Sequence, residues 1–202
     1  MKNITIFPWD DNFNTGIEKI DKQHKKLVDI INDLATQFTF NSQRIDLSTI
    51  FNELLDYTDY HFTTEEGIWH QFLAETKSEI KHQQTHKKFI QIVKELIASQ
   101  KDKTEDEVAE NTLGILVQWL VSHILESDRF LAYRVLAMQE RGCSDKEARE
   151  IATEKMKGHT RAMTQIIMKI YDTLSHNTLL LMKEIHQKVS IERELMQKKC
   201  FF

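Results

Sequence analysis

Residues 61–86 read HFTTEEGIWHQFLAETKSEIKHQQTH, and the spacing inside this stretch decides the fold. His61 and Glu65 stand four apart, and so do His82 and His86. Four residues make about one helical turn, so on a helix each pair stacks on one face. The neighbouring residues are good helix formers, and Gly67 is expected to punctuate the chain between two helices. The stretch therefore predicts two helix faces, each offering two side chains that can ligate a metal. One such pair is a modest signal. Its weight depends on what else in the chain reaches the same place.

Working outward, IEKIDKQHKKLVDIINDLATQF (17–38) holds Ile20, Leu27, Ile31 and Leu34 at helical spacing, with His24 on the same stripe. Before it, residues 1–16 form an irregular arm that turns at Asn14-Thr15-Gly16, with Pro8, Trp9 and Phe13 free to pack on the body. A polar linker, NSQRID (41–46), and a cap at Ser48 precede a stripe through Ile50/Phe51, Leu54 and Tyr57/Thr58 that arrives at His61 and Glu65. A third helix is predicted from Ser78 to Ala98. Its stripe runs on from His86 through Phe89, Ile90 and Val93. After the charged loop KDKTEDE, with Thr104 suited to a helix start, a fourth carries Val108, Leu113, Leu116, Trp119 and Leu120, then His123 on the same face. Asp128 follows five residues later, where SHILESD is expected to end or loosen the helix and turn a carboxylate inward.

Short loops between four amphipathic helices favour antiparallel neighbours, an all-α, up-down-up-down four-helix bundle. Helix direction alternates in that topology. His24 lies near the start of the first helix and His61 near the end of the second. His82 and His86 lie near the start of the third, and His123 near the end of the fourth. All of these positions come out at one end of the bundle. A histidine on an apolar stripe is usually a core or boundary residue, but such strays have no reason to share a depth. They converge.

Composition narrows the function. One proline and five glycines in 202 residues make long helices the default. A net charge of −4 gives no electrostatic reason to expect nucleic acid or an anionic membrane surface as partner. The first residues lack the apolar core of a signal peptide, and no run approaches transmembrane length. Cys143 and Cys200 are too few for a disulfide framework, so both are expected as reduced thiols of a cytoplasmic protein. Glycine-rich phosphate loops, a Ser/His/Asp order and C-x-x-C are all missing from the sequence.

Five imidazoles (His24, His61, His82, His86, His123) and two carboxylates (Glu65, Asp128) are too many ligands for one ion and suit two, with the carboxylates bridging. Imidazole with carboxylate favours iron, zinc, copper or nickel over calcium or magnesium. The order H…HxxxE…HxxxH…HxxxxD closely resembles the hemerythrin family, the bacteriohemerythrins in particular, and TGIEKIDKQHKKL and WLVSHILESD look like its first- and fourth-helix signatures. The likeness runs from about Phe7 to about Tyr133. It implies a non-haem di-iron centre, oxo- or hydroxo-bridged, that binds O2 reversibly. His82, His86 and His123 would hold a filled iron, His24 and His61 an iron with an open position, and Glu65 and Asp128 would bridge them. Imidazoles outnumber carboxylates, so the site donates less electron density than a carboxylate-rich oxidase and favours binding over O–O cleavage. The Glu-x-x-His repeats of such oxidases are absent from the sequence. Leu27, Phe62, Trp119, Leu120 and Ile124 are spaced to wall the open position, though each also reads as ordinary core. His70 is expected after the second helix, facing solvent, and Glu66 is rotated off the ligand face. His159, His176 and His186 read as surface residues.

The expected organisation is a di-iron bundle over residues 1–135 and a helical extension over 144–202. Gly142 and Ser144 mark the break, as helix end and cap. From Met163 a heptad register runs through Ile167, Ile170, Leu174, Asn177 and Leu181 towards Ile191 and Leu195, with Asn177 the kind of polar residue that fixes register. A coiled coil and helices folding back on the bundle both satisfy this pattern. The extension favours an oxygen-sensing module that signals to a partner, with a homodimer through the C-terminal helices. A stand-alone O2 store or carrier is the alternative. An iron-handling or peroxidase-like enzyme is a weaker third, since the pattern points to binding rather than catalysis.

Overall fold

Four helices realise the periodicity: α1 (Glu18–Phe40), α2 (Leu47–Leu73), α3 (Lys77–Ala98) and α4 (Glu105–Ser122). Each packs on the next and α4 closes back on α1, giving the antiparallel up-down-up-down bundle. The computed structural model describes residues 5–40, 47–98, 105–157 and 159–199, with no strand among them. The linker 41–46, the caps at Ser48 and Thr104, the register positions Met163 and Ile170, and Cys200 lie outside the described residues or side chains.

The N-terminal arm is pinned rather than loose. Asn32 on α1 accepts from the backbone N–H groups of Ile6 and Phe7, both at 3.0 Å, and donates to the Phe7 carbonyl at 2.9 Å. A 3-10 turn, Asp11–Phe13, then leads to Thr15 and Gly16, whose N–H groups donate to the Asp21 carboxylate at 2.7 and 3.2 Å. Gly16 has φ +93°, a conformation that favours glycine, and a Cβ there would also crowd Leu136 Cδ1 at 3.2 Å.

α2 is longer than the sequence suggested. Gly67 does not punctuate it, and His70 sits in its last turn instead of after it. The reason is visible downstream. Trp69 and Leu73 continue the buried stripe of Phe51, Leu54, Thr58, His61 and Glu65. Burying those two side chains outweighs the roughly 1 kcal/mol that glycine costs inside a helix.

At its other end α4 changes pitch. His123–Asp128 is a π-helical segment in which Arg129 N–H bonds to Ile124 O, five residues back. In an α-helix, five residues would leave Asp128 roughly 140° around the axis from His123. The wider turn brings both onto the bundle interior, a common use of π-segments. α5 (Arg129–Arg141) then carries the chain past the end of the bundle.

Gly142, at φ +60°, ends α5, and Ser144 opens α6 (Asp145–Met156) with a complete capping box to Glu147. Buried Arg134 ties the two together through Asp145. α7 (His159–Lys199) folds back along α1 and α4. Its bundle-facing stripe is Thr164, Met168, Tyr171, Ser175, Leu179 and Met182. The Tyr171 hydroxyl donates to Pro8 O at 3.4 Å and Ser175 Oγ to Ile6 O at 3.2 Å. The register positions Leu174, Leu181, Ile191 and Leu195 point elsewhere and are exposed.

Asn32→Ala should lower the unfolding free energy by about 2 kcal/mol, because three hydrogen bonds to the arm go at once. Urea denaturation measures it, and a change within 0.5 kcal/mol, roughly the scatter of a neutral surface substitution, would show that the arm is not held there.

Candidate metal centre

The two carboxylates and five imidazoles lie together, all buried, between two apolar clusters. On one side is the main bundle core, including Leu27, Phe62, Phe89 and Leu120, each within a turn of a histidine. On the other is a smaller cluster of Ile20, Trp69, Leu73, Leu131, Ala132 and Val135, built from the start of α1, the overrun of α2 and α5. The site is therefore closed at both ends by sequence that the helix periodicity demands.

Its polar atoms fall into two sets that share Glu65. Glu65, His82, His86 and His123 offer ligand atoms all within 4.8 Å of one another, as do His24, His61 and Glu65. Asp128 spans the sets. Its Oδ1 is 2.8 Å from His82 Nε2 and 3.1 Å from His123 Nε2, and its Oδ2 is 3.3 Å from His24 Nε2. Glu65 Oε2 lies 3.3 Å from His86 Nε2. The Nε2 atoms of His86 and His123 face each other at 2.9 Å.

Several of these atoms lack a well-aligned hydrogen bond. Both nitrogens of His24, His61 Nε2, both oxygens of Glu65 and Asp128 Oδ2 are buried without a well-aligned one, and the imidazole neighbours of Glu65 Oε2 and Asp128 Oδ2 stand no closer than 3.3 Å. Buried polar groups are paired in the great majority of native proteins, so a cluster of lone pairs aimed inward fits cation ligation. The donor set of imidazole and carboxylate fits iron as well as other borderline metals.

Outer partners fix which ring nitrogen faces in. His86 Nδ1–H donates to Glu66 Oε1 at 2.7 Å, and His61 Nδ1–H to Gln23 Oε1 at 3.1 Å, while Gln23 Nε2 is held by Thr64 Oγ1 at 3.3 Å. In the neutral imidazole each arrangement puts the proton on Nδ1 and turns the Nε2 lone pair towards the centre, the usual way a ligating imidazole is oriented. Sequence reasoning missed both partners. Gln23 carries no signal in the sequence, and helical spacing rotates Glu66 off the ligand face. Its side chain reaches round to a ring on α3, a contact that spacing within α2 cannot reveal. His70 takes no part in the cluster; its Nδ1–H donates to buried Glu79 at 2.8 Å across the α2–α3 turn.

The apolar residues divide. Phe62 stacks on His86 with ring centroids 3.6 Å apart, and Trp119 stacks on His123 at 4.2 Å. Leu27, Trp119 and Leu120, with Thr58, Phe89 and Leu116, line a small cavity one turn further into the bundle, about 10 Å³, enough for one water-sized molecule. Ile124 is fully buried in the π-segment.

Burial pushes His61 and His123 well below the usual histidine range, the charge of His24 adding to the effect at His61 and Asp128 opposing it at His123. Burial works against the charged form of Asp128 too, yet His123, His24 and His82 hold its carboxyl well below the usual range. His86 goes the other way. Its burial is outweighed by Glu65 and Glu66, and its pKa is raised to about 9.

A family model described as the hemerythrin HHE cation-binding domain matches residues 15–133, a span that holds all seven clustered residues. The bacteriohemerythrin of Clostridium acetobutylicum is 33% identical over 129 residues, covering 61% of this chain and 97% of that protein. The bacteriohemerythrin of Pseudomonas aeruginosa (strain LESB58) is 34% identical over 122 residues, 59% of this chain and 75% of its own. A hemerythrin-like protein of Naegleria gruberi is 34% identical over 122 residues, 60% and 87% respectively. No solved structure matches the chain.

Linkage fixes the pH response of chelator-stripped protein. His86 is raised, so its stabilisation is full below the unfolded value of 6.5 and fades as pH rises towards about 9. His61 and His123 are depressed, so stability they allow above 6.5 is lost as pH falls. The melting temperature of stripped protein should therefore peak near pH 6.5 and decline both ways. A steady rise from pH 5 to pH 9 would contradict these assignments.

Proposed function

The chain belongs to the hemerythrin family, and from that premise we propose that it binds O2 reversibly at a non-haem di-iron centre and acts as an oxygen-sensing module. The observation that carries the reading is the sharing of Glu65 and Asp128 between two imidazole sets, since two carboxylates that each face both sets are what a pair of bridged ions needs. His82, His86 and His123 would hold one iron, and His24 and His61 the other, with its lower imidazole count leaving a position open. When bound, the iron pair supplies the electrons that hold O2 reversibly.

The chain's own residues do the rest. Gln23 and Glu66 hold the rings of His61 and His86 with Nε2 inward. Phe62 and Trp119 lie flat on His86 and His123 and restrict the tilt of those rings. Leu27, Leu120 and Ile124, all buried, keep water from the open side and so protect the reversible state. We assign the centre to residues 1–135 and the passing of its state to residues 144–202. Two features support sensing over a stand-alone store. α7 packs against the π-segment that carries His123 and Asp128, and the same helix runs on beyond the bundle. Among the described residues, no helix is long and apolar enough to cross a membrane.

Purified protein should contain two irons per chain and show an optical charge-transfer band that appears in air and disappears under argon. His61→Ala should abolish that reversible band while His70→Ala leaves it unchanged. One ion per chain, or a band indifferent to O2, would contradict the reading.

A further inference from the structure

Among the described residues, every exposed large apolar side chain except Tyr60 and Ile80 lies on α7, between Leu174 and Met196. α7 has 41 residues, about 60 Å of helix, whereas α4 beside it has 18. The bundle-facing stripe stops at Met182, and every residue from Gln187 to Met196 is exposed. Along this distal half Leu181, Ile185 and Leu195 are 58%, 53% and 54% exposed. With Lys188 and Glu192 they fall at the alternating four- and three-residue spacing of a two-stranded seam. An exposed helix face of this kind, apolar on both sides of a Lys188/Glu192 centre, marks an interaction surface.

We propose that the distal half of α7, residues 184–196, pairs antiparallel with the same segment of a second copy of this chain. The charges within the seam select both the occupant and the direction. A parallel pair in register would set Lys188 on Lys188 and Glu192 on Glu192, both repulsive. An antiparallel pair about a two-fold axis at Ser190 sets Lys188 opposite Glu192 of the second copy, twice over. The same axis places Ile185 opposite Leu195, so each charged layer is bordered by an apolar one, with Val189 and Ile191 on the two flanks of the seam. This is the self-complementarity that an isologous contact requires. A partner of unrelated sequence would not need it. Asn177, the polar register position available to a parallel coil, is exposed but lies outside the overlap. The inference rests on α7 alone and is independent of what the metal centre binds.

Sedimentation of the full chain at micromolar concentration tests it, with helicity followed by circular dichroism. The wild type should be a dimer. Ile185→Lys should weaken association about 100-fold, because the two-fold repeats the loss of this apolar anchor at both Ile185–Leu195 layers. Lys188→Glu should give a monomer, because two carboxylates then face each other on both sides of the central axis, and adding Glu192→Lys should restore the dimer. None of these positions lies in the metal cluster, so iron content should stay constant throughout the series. A monomeric wild type would overturn the proposal and leave the stripe to a different protein. A Lys188→Glu variant that still dimerises, or a double swap that does not recover, would overturn the antiparallel pairing.

Discussion

The structure depends on burying Glu65 and Asp128 among five imidazoles at one end of the bundle. Each carboxylate is fully buried, and taking a charge of that size out of water costs several kcal/mol even after relaxation. Imidazoles recover part of this. Asp128 is held in its charged form by His123, His24 and His82, and His86 takes a proton more readily because Glu65 and Glu66 face it. Histidine cannot balance the layer by itself, since burial drives His61 and His123 towards neutrality. A pair of cations would satisfy the inward lone pairs and both carboxylates together. The rest of the fold serves that layer. The main core packs on its inner side, and Ile20, Trp69, Leu73, Leu131 and Val135 seal its outer side.

The same constraint accounts for two departures from regular helix geometry. α2 overruns an unfavourable glycine because Trp69 and Leu73 are needed to cover the layer. α4 widens into a π-segment because His123 and Asp128, five residues apart, must reach one interior. The π-segment also touches α7, which is clamped to the N-terminal arm through Tyr171 and Ser175. A change in the layer therefore has a packed route to the projecting half of α7, which is the physical content of the sensing proposal.

Much of this was legible in the sequence. The four helices, the shared depth of the histidines, the loosening at SHILESD and the break at Gly142-Ser144 all rest on local spacing and turn chemistry, which a single chain displays. What stayed hidden were relations between elements. Glu66 meets His86 across the α2–α3 seam, Gln23 meets His61 across α1–α2, and Arg134 is buried by α6. Gly67 misled because helix propensity weighed more in the reading than the burial of residues beyond it. On α7 the heptad register is visible in the sequence, but the stripe that faces the bundle lies roughly a third of a turn round the helix from it, and only packing shows which face is covered.

The central claim is that the buried layer is a cation site on which the fold depends. Thermal unfolding of the same preparation, chelator-stripped and then reloaded with ferrous iron under argon, tests it most directly. The account predicts that the reloaded protein melts several degrees higher, because only the folded state presents the seven ligands together. Equal melting temperatures would mean that the layer is stable on its own and that the metal is incidental to the structure.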